Sequence, residues 1–171
     1  EYMNRFIIAN TPQEIAQSMC DKHVVKMPLE EAQMLCTVVR QANPEYADDH
    51  DLYRVAHAKH PCTLWAGQTR SNYMYAFRLW NHMCREYTYR YGKHHASERH
   101  LNALREGAEF VPDGLMTAHP ECFSEHTDLK TGEFWPMDSY RKFYMTKQHR
   151  FNMTWKNRLM PLWFEQEKQY A

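Results

Sequence analysis

The segment from Ser71 to Tyr91 constrains the fold more than any other part of the chain. Apolar and aromatic residues recur in it every three or four positions, at Tyr73, Phe77, Trp80, Cys84, Tyr87 and Tyr91. This spacing places them on one stripe of an α-helix, and Gly92 supplies a residue that favours a left-handed helix end. The pattern therefore predicts a long helix over 71–91 that buries one face against the rest of the protein.

Two further helices are predicted ahead of this segment. The string TPQE at 11–14 is a capping signal, and it predicts a helix that ends near Cys20. Asp21 is the predicted cap of the next helix, which should run to about Ala42. Its apolar repeat consists of Val25, Leu29, Ala32, Cys36 and Val39. Pro28 lies within this repeat and predicts a kink or a new helix start.

The remaining pattern completes an all-α prediction. Shorter helices are predicted from Pro61, over 97–107, over 139–151 and from Pro161. The acidic stretch 45–51 is predicted to be a loop or a short helical turn, and the apolar run 5–10 is a candidate for one short strand. Residues 108–136 hold three prolines and two glycines without a clear period, so a long irregular segment is predicted there. We expect one mainly helical domain over 1–171.

Composition limits the compartment and the partners. The 21 Lys and Arg residues balance the 21 Asp and Glu residues, so net charge alone indicates no nucleic-acid or membrane partner. The five cysteines form no Cys-x-x-Cys pair, which favours reduced thiols and an intracellular protein. No apolar run approaches the roughly 20 residues of a membrane span, and no signal peptide is visible. We expect a soluble cytoplasmic protein.

The string CDKHVVKM at 20–27 concentrates charge at the start of a helix. At 100° per residue His23, Lys26 and Glu30 share one face, and Asp21 and Lys22 stand at the helix entrance. One interpretation is a proton-transferring site in which a lysine of lowered pKa acts as base or nucleophile. The alternative is a capped, solvated face with an ordinary Lys–Glu pair four residues apart.

Two further stretches combine aromatic rings with cations. The string EYTYRYGKHH at 86–95 suits stacking on a base while Arg90 and Lys93 hold phosphate, although a core stripe and a basic helix end explain part of it. Residues 139–158 contain six Lys or Arg and no acid, which favours contact with a phosphate backbone over an ordinary basic helix. The phosphate-binding candidates from these two stretches are Arg90, Lys93, Arg141, Lys156 and Arg158, and the stacking candidates are Tyr89, Tyr91 and Trp155.

The eleven histidines predict no metal site. No His-Glu-x-x-His motif occurs, and the spacings between cysteines and histidines match no zinc class. There is no Gly-x-Ser-x-Gly elbow and no phosphate-binding glycine-rich loop, so serine hydrolysis and nucleoside triphosphate hydrolysis are not expected. We therefore expect neither a metal nor a cofactor.

Six strings together resemble a family of small proteins encoded by tailed bacteriophages. They are CDKHVVKM, KHP, SNY, EYTYRYGK-x-H, YRKFYM and WKNR-x-x-P-x-WF, and they span nearly the whole chain. The chain departs from the family pattern at Pro28, where a plain helix former is expected. The resemblance implies a phage context and a mostly polar set of recurrent residues, which is more typical of a site than of a scaffold. It adds His60, Asn72 and Asn157 to the candidates for nucleic-acid or phosphate binding.

The first hypothesis is an enzyme that acts on nucleic acid, DNA rather than RNA, in the host cell cytoplasm. It would cleave or transfer a group at a modified pyrimidine, as a glycosylase or a base-modifying transferase does. The predicted catalytic residues are Asp21, Lys22, His23, Lys26, Glu30 and His95. The second hypothesis is a non-catalytic phage protein that binds nucleic acid or a host factor. The third is an enzyme on a free nucleotide or small phosphorylated metabolite, with a closed pocket.

Overall fold

A computed structural model describes residues 3–168 and confirms the all-helical prediction. Within these residues the helices are α1 (Pro12–Ser18), α2 (Asp21–Ala42), α3 (Pro44–Asp49), α4 (Pro61–Gln68), α5 (Arg70–Tyr91), α6 (Leu101–Glu106), α7 (Met137–Met145) and α8 (Leu162–Glu167). Short 3-10 turns lie at Ala96–His100, Gly107–Phe110, Thr127–Leu129 and Thr146–His149. The described part of the chain contains no strand, so the short strand considered for 5–10 is absent.

The two long helices, α2 and α5, form the centre of the molecule. Each has 22 residues and is therefore about 33 Å long. They pack against each other, α1 and α4 pack against α5, and α3 packs against α2. The stripe predicted for α5 is confirmed through its first four members, which are buried, while Tyr87 and Tyr91 are half-buried at its end. Gly92 ends the helix with φ of 71°.

The first half of α2 faces the other way from the prediction. Val25 and Leu29 were expected in the core, yet they are 46% and 40% exposed. His23 and Glu30, expected on the polar face, are buried instead. His23 can be buried because the distant Tyr144 supplies a hydrogen-bond partner, and Glu30 has Lys26 Nζ at 3.5 Å on the same helix. The apolar repeat is correct from Ala32 onwards, where its members are fully buried.

One of the two alternatives predicted for Pro28, a new helix start, is excluded, and the cap of α2 lies one residue earlier than predicted. Pro28 does not split the helix, which is continuous from Asp21 to Ala42. An interior proline costs about 3 kcal/mol in an isolated helix, but here Pro28 is buried and α2 packs along α4 and α5. The residue at the cap position is Cys20, and Asp21 is the first residue of the helix, where its carboxylate bonds to other parts of the chain.

Irregular chain covers the helices on two sides. The N-terminal segment 3–9 crosses the core with Ile7 and Ile8 fully buried. The segment 111–136 lacks α-helix, as predicted, and the amide of Asn72 anchors it by bonding to both the hydroxyl and the N–H of Thr117. These anchors hold the irregular segment on α4 and α5 without regular secondary structure.

The shorter helices differ from their predictions mainly in where they begin and end. The helix expected over 97–107 is divided into a 3-10 turn, α6 and a second 3-10 turn. The helix expected to reach residue 151 ends at Met145 and continues only as a 3-10 turn. The final helix follows Pro161, as predicted. Among the described residues, no helix combines the length and the apolar character needed to span a membrane.

Candidate nucleic-acid interface

The side chain of Arg90 joins three separate parts of the chain at the end of α5. Its Nε donates to Glu86 Oε2 at 2.7 Å, its Nη1 to Asp21 Oδ1 at 2.9 Å and its Nη2 to the carbonyl of Gln17 at 3.1 Å. The guanidinium has no exposed surface. Because each of its three nitrogens donates to an acceptor inside the protein, Arg90 positions the surrounding elements. Its predicted contact with phosphate stays a prediction.

The carboxylates of Asp21 and Glu86 fix the segment 154–158 to the cluster around Arg90. Glu86 accepts two bonds from Arg158, each at 3.0 Å. Asp21 accepts the backbone N–H of Lys156 at 2.8 Å and the hydroxyl of Thr154 at 2.8 Å. The two acidic charges are therefore neutralised from within, and they draw the basic C-terminal segment across the ends of α2 and α5.

Three cations of this region lie over aromatic rings. Lys22 Nζ is 4.3 Å from the centre of the Phe151 ring, and Arg158 Cζ is 4.0 Å from the centre of the Tyr89 ring. Lys156 Nζ is 5.3 Å from the centre of the Tyr91 ring. We call this region the cation–aromatic surface; it consists of Lys22, Tyr89, Tyr91, Phe151, Lys156 and Arg158, together with Lys93, which is exposed two positions beyond the end of α5. Its four cations exceed what the two carboxylates beneath them neutralise, since those also bind Arg90.

The stacking candidates differ in how far they are available. Tyr89 is 53% exposed, and its hydroxyl donates to the carbonyl of Asn157 at 3.1 Å. Tyr91 is half-buried, with Tyr87 on one side. Trp155 packs against the ring of α8 residue Phe164 and donates its Nε1–H to a backbone carbonyl of α1. Tyr89 thus offers the most open ring, and Trp155 serves the packing of α8.

His23 belongs to a buried cluster directly beneath the cation–aromatic surface. Its Nδ1 is 2.7 Å from the hydroxyl of Tyr144 and 3.5 Å from Sγ of Cys20. The Phe151 ring stands nearly perpendicular to the imidazole with the ring centres 5.5 Å apart, and His23 has no exposed surface. Burial opposes ionisation of Cys20, but hydrogen bonds to His23 and Tyr144 outweigh it and lower the pKa of this thiol. Burial raises the pKa of the Tyr144 hydroxyl well above its ordinary value.

Of the other predicted catalytic residues, Lys26 and Glu30 lie further along α2, and His95 lies in the connection that follows α5. Lys26 Nζ is 3.5 Å from Glu30 Oε2, and about a third of the Lys26 side chain is exposed. His95 places its Nε2 3.2 Å from the carbonyl of Val25, and its Nδ1 accepts the N–H of Ser97. Burial lowers the pKa of His95, so the neutral ring that this bonding requires is favoured. The predicted catalytic residues therefore form two groups. Asp21, Lys22 and His23 lie at or beneath the cation–aromatic surface, whereas Lys26, Glu30 and His95 lie around the next turns of α2.

Three further candidates from the sequence are engaged in other parts of the fold. His60 caps α4 by accepting the N–H of Cys62 at 3.0 Å. Asn72 is fully buried and bonded to the carbonyl of Trp65 and to the irregular segment. Arg141 donates to the carbonyl of Ile8 at 2.8 Å, on a different helix from the cation–aromatic surface. Their roles in binding nucleic acid stay predictions.

Sequence reasoning assigned no individual role to Glu86, Phe151 or Tyr144, although the last two are among the aromatic residues of the basic stretch 139–158. Glu86 stands four residues before Arg90, and that spacing is a recognisable signal for an ion pair on a helix. Tyr144 is 121 positions from His23, and nothing local in the sequence indicates their hydrogen bond.

Comparison with protein-family models, with curated proteins and with solved structures finds no match to this chain. The resemblance to phage proteins therefore remains an expectation from the motifs, and the function rests on the geometry above.

Proposed function

We propose that this protein binds a nucleic-acid strand on the cation–aromatic surface, in a phage-infected cell and with DNA as the expected strand. The observation that carries the proposal is the set of three cations over three rings at one junction of helices. Bases stack on aromatic side chains regardless of sequence, and cations beside the rings attract the phosphates that connect those bases.

The local charge supports binding of a polyanion although the whole chain is neutral. Asp21 and Glu86 are bonded to cations from within, so neither projects a free negative charge. Lys22, Lys93 and Lys156 are exposed, and their positive charges face solvent. Such a surface favours phosphate through release of counterions, which makes the affinity depend on salt.

A single strand suits the geometry better than a free nucleotide. The depression beside the surface, lined by Gln17, Asn157, Arg158 and neighbours, has a volume of about 500 Å³ and is open. The rings and cations extend beyond it along the segment 151–158 and over the end of α5. An open row of rings and charges fits successive nucleotides, whereas a small metabolite is usually held in a closed pocket.

The binding test uses fluorescence anisotropy with labelled single-stranded DNA, duplex DNA, single-stranded RNA and a mononucleotide. We expect the single-stranded DNA to bind most tightly and the mononucleotide to bind least. Replacing Lys22, Lys93 and Lys156 together by Ala should weaken binding at least tenfold. Each of these side chains is exposed, and the bond from residue 156 to Asp21 uses the backbone, so the fold should persist.

The matched control replaces three exposed lysines that lie elsewhere, namely Lys59, Lys130 and Lys142. It removes the same net charge from the chain and should retain most of the affinity. Equal losses in the two triple variants would show that only overall charge matters, and absence of binding by the unmodified protein would refute the proposed function.

A second candidate function, action on a pyrimidine base, is favoured by one specific observation. The hydrogen-bonded cluster of Cys20, His23 and Tyr144 lies immediately beneath Phe151 of the binding surface. A base held on this surface would be close to an imidazole and a thiol once the Phe151 ring moves aside.

The test of the second candidate is incubation with DNA that contains modified pyrimidines, and with unmodified DNA, followed by mass spectrometry of the nucleosides. A change in nucleoside composition would support an enzyme if Lys142→Ala still produces the change and Lys22→Ala or Lys26→Ala does not. Unchanged nucleosides together with salt-sensitive binding would support binding without catalysis.

A further inference from the structure

Two cysteines and a histidine that are remote in sequence meet at the start of α4. Sγ of Cys62 and Sγ of Cys122 are 3.8 Å apart although 60 positions separate them. A ring nitrogen of His60 joins them, and the three ligand atoms all lie within 4.8 Å of one another. Thiolate and imidazole together are the ligands that zinc and similar cations prefer in proteins.

The distance between the sulfurs fits a tetrahedral metal site. With zinc–sulfur bonds of about 2.3 Å and a tetrahedral angle, two thiolates on one zinc ion lie about 3.8 Å apart. The observed separation of 3.8 Å agrees with this value, and it is far longer than the ~2.05 Å of a disulfide bond. The two thiols are therefore already placed for a shared cation.

Hydrogen bonds from neighbouring residues hold the two cysteines in place. Asn4 donates from Nδ2 to the carbonyl of Cys122 at 2.7 Å, and its Oδ1 lies 4.0 Å from Sγ of Cys62. Arg5 donates to the carbonyl of Cys62 at 3.0 Å, and Tyr140 donates to Asn4 Oδ1 at 2.9 Å. Such supporting bonds orient metal ligands in known sites.

The cluster is accessible to a cation from one side. A depression of about 670 Å³ is bordered by His60 and Cys122 and opens to solvent between α4 and the irregular segment. Cys122 is half-buried at its edge, whereas Cys62 is fully buried behind it. The imidazole of His60 bonds to the N–H of Cys62 and to the backbone of Met3, so coordination exchanges one of these two bonds for a metal bond.

We propose that His60, Cys62 and Cys122 bind one zinc ion or another thiophilic divalent cation. A water molecule supplies the fourth ligand, because Asn4 Oδ1 already accepts the Tyr140 hydroxyl and the N–H of Arg5. Each thiol releases its proton when it coordinates the metal. The bound ion would tie the irregular segment 111–136 to α4, in contrast to the expectation from sequence that the chain holds no metal.

The test titrates Co²⁺ into the reduced, metal-free full chain and records its absorption spectrum. One equivalent of Co²⁺ should produce thiolate-to-cobalt charge-transfer absorption and the visible bands of a tetrahedral ion. Cys62→Ser and Cys122→Ser should each remove the charge-transfer absorption or at least halve it. Cys84→Ser is the matched control, because Cys84 is buried beside the hydroxyl of Ser97 and a serine there retains a hydrogen-bond partner.

X-ray absorption of the zinc-loaded unmodified protein makes the test independent of how the variants fold. Two sulfur ligands with nitrogen or oxygen ligands completing the shell would support the site. A shell of nitrogen and oxygen alone, absence of charge-transfer absorption in the unmodified protein, or absorption in Cys62→Ser or Cys122→Ser as strong as in the unmodified protein would overturn it.

Discussion

Replacing Arg90 by Met should destabilise the protein strongly, because the arginine side chain is buried and joins three elements. The substitution keeps an unbranched side chain of similar length but removes bonds to Glu86, Asp21 and Gln17. Removing one partner from a buried ion pair costs about 3–5 kcal/mol, since the remaining charge stays desolvated. Here Arg158 and the N–H of Lys156 continue to compensate the two carboxylates, so we expect about 3 kcal/mol.

This loss corresponds to a readily measured change in melting temperature. An unfolding entropy of about 2.1 cal/mol/K per residue over the 171 residues makes 3 kcal/mol equivalent to roughly 8 °C. Urea unfolding followed by circular dichroism gives the free energy, and calorimetry gives the temperature. Arg85→Met is the matched control, because Arg85 is exposed on the same helix, and its effect should stay within about 0.5 kcal/mol.

Equal effects of the two substitutions would refute the interpretation of Arg90 as the residue that fixes this junction. A loss of DNA binding by Arg90→Met at a temperature where the variant is fully folded would show that binding depends on how Arg90 positions Asp21 and Glu86, the partners of Lys156 and Arg158.

Tyr144→Phe should cost about 1–3 kcal/mol by urea unfolding, because the lost hydroxyl accepts the buried N–H of Cys20 and bonds to His23. Stability should fall on acidification below about pH 6.5, because burial and the charge of a neighbouring arginine hold the pKa of His119 well below its ordinary value. The unfolded chain then takes up a proton that the folded protein does not, at a cost of up to about 1.4 kcal/mol per pH unit, and His119→Gln should reduce this slope. Gly92→Ala should destabilise by about 1 kcal/mol, because φ is 71° there although the added methyl group meets no neighbour. Gly67→Ala should stabilise by up to about 1 kcal/mol, because it lies within α4 and the new methyl group makes ordinary contacts at 3.5 Å.

Each of these predictions has an outcome that contradicts it. A neutral Tyr144→Phe would mean that water or another group replaces the hydroxyl. A flat pH profile between 7 and 5, or an unchanged slope in the histidine variant, would show that the imidazole takes up its proton in the folded state. The changes in unfolding free energy of Gly92→Ala and Gly67→Ala should have opposite signs. Equal signs would mean that packing outweighs backbone conformation.

Local signals in the sequence predicted the helices well. The bond from the N–H of Glu14 to the hydroxyl of Thr11 and the left-handed Gly92 both follow from residues within a few positions of each other. The stripe of α5 likewise depends only on local spacing. Such features could be predicted because their physical causes lie within one or two helical turns.

Features that depend on distant partners could not be predicted in the same way. The first half of α2 is rotated because His23 finds Tyr144 across 121 positions, while Val25 and Leu29 face solvent. The proximity of Cys62 and Cys122 is also invisible to spacing rules, since they are 60 positions apart and most of α4, all of α5 and part of the irregular segment lie between them.

The candidate site shows both kinds of outcome. The sequence singled out the aromatic residues and cations of 86–95 and of 139–158 separately, and the structure joins parts of both at the end of α5. The sequence could not show that Arg90 forms buried ion pairs with Asp21 and Glu86 while Lys22 stays exposed. That distinction depends on which partner reaches each side chain in three dimensions.

The salt dependence of binding tests the central claim most directly. Each phosphate contact on a single strand contributes about 0.7 to the slope of log K against log salt concentration. Removing Lys22, Lys93 and Lys156 should therefore reduce the magnitude of the slope by about 2 relative to the unmodified protein. An unchanged slope in this variant, or no measurable affinity of the unmodified protein for single-stranded DNA at low salt, would contradict a nucleic-acid-binding role for the cation–aromatic surface.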